Sequence, residues 1–339
     1  MKAGVEQGNP GRLVVERYHH REGRDGGVPV DRHDAGPEGK ERAFYRSAKS
    51  VEDQFATSVV CADDFGLAPG VNAAIAELIA AGRLSATSCM VAWPDWRGGV
   101  AMLKAAVAAF PADVGLHLTL TDQPALGGSS VLAPDGRFPR LAVMLRRGLA
   151  RQLPVDEVRS EIRAQLDAFE DGWGGPPDYV DGHQHMHLLP TVRDALLDEL
   201  VRRYPPGQVY ARDCQERLVT ILRRRVAVPK ALFLNALGAG FARRARRAGV
   251  PLNQGFAGLH DFSGRHPFGE LMRAFLRDPG LQPLIHVHPG RVDDVLRRRD
   301  GLTAPREVEF AYLASPQFLA DVAAAGTRIA PFPRRERAF

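Results

Sequence analysis

From about residue 57 onward the chain alternates short apolar, β-branched runs with longer stretches whose apolar positions recur at helical spacing. Ser58-Val59-Val60-Cys61-Ala62 ends in Asp63-Asp64 and predicts a buried strand. Pro69-Gly70 opens a helix predicted over 71–81, which Gly82 stops. A strand over 85–93, a helix over 98–109 and a strand over 113–120 carrying Gly115-Leu116-His117-Leu118 continue the alternation. Pro124, Gly127-Gly128 and Pro134-Asp135-Gly136 predict a long loop over 121–151 with a short helix at 141–148. A helix over 155–169, a strand opening at Tyr179, a helix over 191–203 and a strand over 208–212 follow. Helices over 216–225, 236–248 and 268–276 precede the run Pro283-Leu284-Ile285-His286-Val287-His288, and a helix over 318–325 and a strand over 328–330 end the pattern.

Strands alternating with helices of ten or more residues imply a parallel α/β sheet joined by crossovers. Sites in such folds occupy the carboxyl ends of the strands. Asp63-Asp64, His117, the stretch from Asp181 to His187, Arg212, His286 and His288 all fall just there, so the pattern places them in one cleft although they are distant in sequence.

Residues 1–55 differ from everything after them. They mix Gly, Arg, Asp, Glu and His without sustained apolar period, and such a segment cannot bury enough surface to offset its ordering entropy. They are expected to be a disordered or mis-started extension, with His19, His20 and His33 holding nothing in particular. The folded domain is expected over 56–332, with a short tail at 333–339. At 339 residues, 45% hydrophobic and 25% charged, the chain has ample material for one large core. A net charge of +5 with widely spread arginines does not imply nucleic-acid binding. Cys61, Cys89 and Cys214 form no CxxC pair, which argues against a disulfide framework and a cysteine zinc site. Cys61 and Cys89 are expected buried; Cys214 has a more polar setting and no evident partner. Without an apolar leader or a membrane-length apolar stretch, a cytoplasmic location is expected, with peripheral membrane contact left open. A homodimer is compatible with the sequence, which does not encode the oligomeric state.

Asp181-Gly182-His183-Gln184-His185-Met186-His187 is the densest chemistry. In an extended segment residues two apart share a face, so Asp181, His183, His185 and His187 are expected to line one side of a strand end. Imidazole with carboxylate is an N/O set that zinc accepts.

Together with Ala62-Asp63-Asp64-Phe65-Gly66-Leu67, Gly115-Leu116-His117-Leu118, His288-Pro289-Gly290 and the stretch from Asn253-Gln254-Gly255-Phe256 to Asp261-Phe262, that cluster resembles the YdjC-type carbohydrate deacetylases, over roughly residues 57–326. The resemblance implies a distorted (β/α) barrel of the polysaccharide-deacetylase kind and hydrolysis of an N-acetyl group on an amino sugar. It implies one divalent metal ion, zinc or magnesium, held by Asp64, His117 and His183, with histidine ligation favouring zinc. Asp63 would be the general base, aided by a turn at Phe65-Gly66 that lets neighbouring aspartates reach one cleft. His288 would be the general acid, with His286 as its alternate. His185 and His187 would contact substrate or support ligands, and Asp181 would orient His183. Related deacetylases act in hopanoid lipid biosynthesis, which brings in a lipid-linked amino sugar as a further substrate.

Several readings stay open. Arg212 either holds Asp63 ionised or is a surface arginine, and Asp63-Asp64 could instead form a helix-capping turn ahead of Pro69. A binuclear amidohydrolase-type barrel would use the His183/His185 pair, and a non-catalytic barrel would bind metal or glycan only. Arg223-Arg224-Arg225 and Arg243-Arg244 with Arg246-Arg247 read as solvated faces, or as contacts to anionic glycans or lipids. Trp93, Trp96 and Trp173 are expected in packing or loop anchoring rather than sugar stacking. Gly127-Gly128 and Gly174-Gly175 lack the setting of a dinucleotide site.

Overall fold

The computed structural model describes residues 56–333, and the expectations for 1–55, with His19, His20 and His33, and for 334–339 lie outside the described residues. Strand β1 (Ala56–Phe65) leads to helix α1 (Pro69–Ala80), β2 (Ala86–Cys89), α2 (Pro94–Ala109) and β3 (Asp113–Leu118). After a long loop come α3 (Leu141–Leu149), α4 (Val155–Trp173), β4 (Tyr179–Gly182), a 3₁₀ turn (His183–Leu188), α5 (Pro190–Arg203) and β5 (Tyr210–Ala211). The last third runs α6 (Leu218–Arg224), α7 (Val228–Ala248), β6 (Phe256–Ala257), α8 (Phe268–Leu276), β7 (Leu284–Val287), α9 (Asp294–Arg299), α10 (Ala304–Ala314), α11 (Pro316–Ala324) and β8 (Thr327–Ile329).

All ladders are parallel, in the order β5-β4-β3-β2-β1-β7-β6, with β8 on the first residues of β1. The two outer strands do not form a ladder with each other. One bridge joins Ala211 of β5 to Leu252, four residues ahead of β6, and the Asn253 side chain accepts from the Asp213 N–H at 2.7 Å and donates to its carbonyl at 2.9 Å. The sheet is therefore a distorted barrel laced shut at one seam. Strands covered on both faces need apolar side chains on both, which is why residues 58–62 form an unbroken buried run. Around the strands, Trp96 stacks on Phe169 at 5.3 Å and is edge-on to Phe65.

Most predicted elements are present, with shifted ends. Helix α2 begins at Pro94 and α7 at Val228, each with a proline in its first turn, a start signal that outranks the later periodicity. The expected run at 85–93 is a strand only to Cys89. Helices α9 and α10 and the two-residue strand β6 went unread, being too short or too charged on their exposed faces to show a period. Trp93 is half-buried, hydrogen-bonded to Gln123 and covered by Arg299; Trp173 is half-buried beneath Lys104. No helix among the described residues is long and apolar enough to cross a membrane.

Candidate active site at the carboxyl edge of the sheet

A regular strand would send Asp63 and Asp64 to opposite faces. Asp64 instead adopts φ 72°, and the register with β2 slips between Ala62 and Phe65. This bulge turns both carboxylates into the same buried edge. The expected turn at Phe65-Gly66 follows directly, with Gly66 at φ 95° and the Leu67 N–H donating to the Asp64 carbonyl at 3.1 Å; the bulge at Asp64 adds to it. Left-handed backbone at a non-glycine residue costs on the order of 1 kcal/mol or more, and it persists here because neighbours fix both side chains. Neither aspartate caps α1, whose N-cap is Ala68 without a side-chain bond, so the capping alternative is corrected.

Asp64 Oδ1 lies 3.3 Å from His117 Nε2 and 3.3 Å from His183 Nδ1, and has no hydrogen-bond partner among the described residues. Its other oxygen accepts from Arg306 at 2.6 Å. His117 Nδ1–H donates to Asp181 at 2.6 Å, which orients the ring and turns Nε2 towards Asp64. Asp181 therefore orients His117, from the neighbouring strand in register, rather than His183 as expected. Burial alone would raise the Asp64 carboxyl, but Arg306 and the two imidazoles hold it well below the usual range.

Asp63 is clamped by Arg212, with Nη1 to Oδ2 at 2.8 Å and Nη2 to Oδ1 at 2.5 Å, while Ser88 Oγ donates to Oδ1 at 3.1 Å. The same guanidinium lies 2.5 Å from Asp181. Arg212 is fully buried, so the surface-arginine alternative is corrected. Burial would push the Asp63 carboxyl up; the Arg212 charge and hydrogen bonds outweigh it and keep the acid well below its ordinary range. Three carboxylates (Asp63, Asp64, Asp181) face two guanidinium groups (Arg212, Arg306), leaving one negative charge in excess. That excess draws in a cation: burial disfavours a charged His117, yet Asp181 and Asp63 raise its pKa to about 10. An orphaned carboxylate oxygen between two imidazoles, in a pocket whose carboxylates favour a bound cation, fits a divalent ion held by Asp64, His117 and His183, which would take the place of the His117 proton.

The three histidines of the cluster do not share a face. The strand ends at Gly182, and Gln184 and His185 take left-handed conformations at φ 51° and 59°. Only His183 turns towards Asp64. His185 Nδ1 meets Cys214 Sγ at 3.6 Å, and its ring is edge-on to Phe256 and His286. Among the described residues His183 gathers with Asp64 and His117 while His185 joins no such group of ligand atoms, which speaks against the binuclear His183/His185 reading. Cys214 is corrected as well, being buried with His185 as its neighbour. His187 is fully buried and donates from Nε2 to the Arg212 carbonyl at 3.0 Å, so it anchors Arg212 and cannot touch substrate. Its ring also explains Gly182, where a Cβ would come within 2.9 Å of it.

On β7, His286 Nδ1 and, just beyond the strand, His288 Nε2 stand 3.8 and 4.0 Å from Asp63 Oδ2. His286 is buried and stacked flat on Phe256. His288 keeps 16% of its side chain exposed and His183 keeps 14%, against 1–3% for the two aspartates. The mouth of the cleft therefore opens between His183 and His288. Burial lowers the proton affinity of both His286 and His288.

Four supporting residues escaped the sequence reading: Cys61, Ser88, Arg306 and Glu309. Glu309 accepts the His288 backbone N–H at 2.6 Å and faces His260 at 3.1 Å. Arg306 and Glu309 lie three apart on α10, both buried. Thr303-Ala304-Pro305 ahead of them is a helix-start signal that could have exposed this inward charged pair.

Over residues 58–324 the sequence matches the family described as YdjC-like protein. It is 28% identical over 276 residues to a chitooligosaccharide deacetylase of Yersinia pestis (strain Pestoides F), covering 81% of this chain and 97% of that protein. It is 34% identical over 149 residues to a carbohydrate deacetylase of Mus musculus, covering 42% of this chain and 46% of that one. Among solved structures, a protein of Enterococcus faecalis V583 described as a candidate cellobiose-phosphate cleavage protein superposes with a TM-score of 0.62 at 20% identity, covering 82% of this chain and 97% of that one. That likeness concerns the fold alone.

Proposed function

The chain belongs to the YdjC-like protein family, and from that membership and the geometry above we propose that it is a metal-dependent N-deacetylase of an acetylated amino sugar, either an oligosaccharide or a lipid-linked glycan. One observation carries the reading: two adjacent buried carboxylates have opposite partnerships. Asp64 gives one oxygen to Arg306 and leaves the other bare between two imidazoles, while Arg212 holds both oxygens of Asp63. The first arrangement suits a metal ligand and the second a base.

Asp64, His117 and His183 would hold the ion, which when bound would polarise the acetyl carbonyl and acidify the attacking water. Asp63 takes a proton from that water as the oxygen bonds to the carbonyl carbon. The carbon–nitrogen bond then breaks, and the nitrogen must leave protonated. Because burial keeps His288 neutral in the free protein, the proton has to reach it during turnover. Asp63 Oδ2, 4.0 Å from Nε2, is the adjacent source. Water thus supplies both the oxygen of acetate and, through Asp63 and His288, the proton of the amine. His286 is deeper, and its stacking on Phe256 suits it to holding the His288 ring in place.

The test of function is release of acetate from N-acetylated chitooligosaccharides and acetylated glycolipids, followed by mass spectrometry; no loss of acetyl from either class would reject it. His288→Ala is expected to lower kcat on N-acetyl amines by about 100-fold. An activated acetyl ester, whose leaving group needs no proton, should be hydrolysed nearly as before; equal losses on both would remove His288 from the acid role. For the ion, His183→Ala should abolish stoichiometric binding by calorimetry, His185→Ala should retain it, and Asp181→Asn should weaken it about 10–100-fold through His117. Retained binding in His183→Ala would overturn the ligand set.

A further inference from the structure

A second feature begins six residues after Arg212. Between Glu216 and Asp261 the chain carries nine arginines and lysines and no acidic residue, although the net charge of the whole is only +5. The rest of the sequence is therefore net acidic, and the positive charge is concentrated on one segment. Its first element, α6, is amphipathic in the reverse sense. A surface helix normally turns its apolar stripe to the core. Here Leu218, Val219 and Leu222 are 56%, 46% and 57% exposed, and at about 100° per residue they share one outward arc. Ile221 and Arg224 occupy the inward arc, where Arg224 pairs with buried Glu216 at 2.6 Å.

Arg223 flanks the exposed apolar arc, and Arg217 and Arg225 bracket the helix. Arg223 and Arg225 make no ion pair among the described residues, while Arg217 meets exposed Asp278 at 2.7 Å. The start of α7 extends the same composition with exposed Lys230 and with Leu232 and Phe233, each 40% exposed. This surface is close to the cleft. Helix α6 starts six residues beyond Arg212, which clamps Asp63 in the cleft, and six residues span at most about 20 Å.

Large aliphatic and aromatic side chains flanked by cations, of which Arg223 and Arg225 make no ion pair among the described residues, match an anionic headgroup layer over acyl chains. A second copy of this chain fits poorly, because a two-fold contact would set the arginines against themselves. We propose that α6 and the first turns of α7 form a docking surface for anionic phospholipid beside the cleft. It would deliver a membrane-anchored amino sugar to His183 and His288. The substrate half of this inference rests on the deacetylase reading; the docking half does not.

The test is sedimentation of the full chain with vesicles of phosphatidylglycerol and, separately, of phosphatidylcholine. Binding to the anionic vesicles alone is expected, weakening as salt is raised. Arg223→Gln with Arg225→Gln should weaken it about 30-fold. Leu218→Ser with Leu222→Ser should weaken it at unchanged charge. Neither double variant should alter acetate release from a water-soluble oligosaccharide. Docking is overturned by equal affinity for both vesicles, by indifference to both double variants, or by ultracentrifugation showing that the leucine variant only dissolves a dimer. Vesicle binding without any acetate release would leave the docking surface standing and remove the deacetylase reading.

Discussion

Asp63→Asn is expected to lower kcat by about a thousandfold or more while divalent-ion binding stays near that of the parent protein. The change removes the basic lone pair of a carboxylate that Arg212 holds ionised beside the cleft. Asparagine keeps the shape and still accepts from Arg212 and Ser88 through its one oxygen, so the fold and the neighbouring ligand set should persist. General-base catalysis accounts for about 10²–10⁴-fold in rate. The upper part of that range is expected here because the base is also the source of the proton that the amine takes. Loss in kcat with KM little changed would locate the effect in the transition state. Activity above about a tenth of the parent's, or loss of the ion together with activity, would remove Asp63 from the role.

Much of this site was legible because its polar residues interrupt apolar strands. Asp63-Asp64 after Val59-Val60-Cys61-Ala62 and His117 within Gly115-Leu116-His117-Leu118 stand where parallel strands end, and strand ends share an edge. The histidine cluster misled for a physical reason. Alternation is a rule of extended backbone, and nothing in Gly182-His183-Gln184 announces that the strand stops there and two left-handed residues follow. The turn at Phe65-Gly66 was legible from the need of two aspartates to meet, whereas the bulge at Asp64 was not, because nothing in the sequence marks a non-glycine residue for a positive φ. Arg306 and Glu309 stayed hidden because charged residues on a late helix look like an exposed face until the helix is packed. The seam between β5 and β6 depends on Asn253, a contact between segments forty residues apart that no local pattern encodes.

Arg212→Met is expected to destabilise the protein by about 3–5 kcal/mol, the cost typical of breaking a buried ion pair by removing one partner. For a domain of this size that lowers the melting temperature by on the order of 10 °C. Methionine fills similar volume, so the loss is electrostatic: Asp63 and Asp181 would lie buried side by side without the guanidinium between them. The pH dependence should reverse with it. In the parent, the lowered Asp63 pKa contributes stability that is present above the unfolded value near 4 and lost as pH falls below it. Without Arg212, burial dominates and raises the folded pKa above that of the unfolded chain. The protonated form then favours folding, and stability should fall as pH rises through the raised value. Arg212→Met should therefore be closest to the parent in acid and furthest from it near pH 8. Adding Asp181→Asn removes one of the two stranded charges and should recover part of the loss, whereas independent sites would add their costs. Arg212→Lys should restore charge but not the two-armed contact to Asp63, giving a protein more stable than the methionine variant yet still poorly active. Additive costs in the double variant, or a parent-like melting temperature in Arg212→Met at pH 8, would show that the clamp is not what keeps two carboxylates buried beside a third.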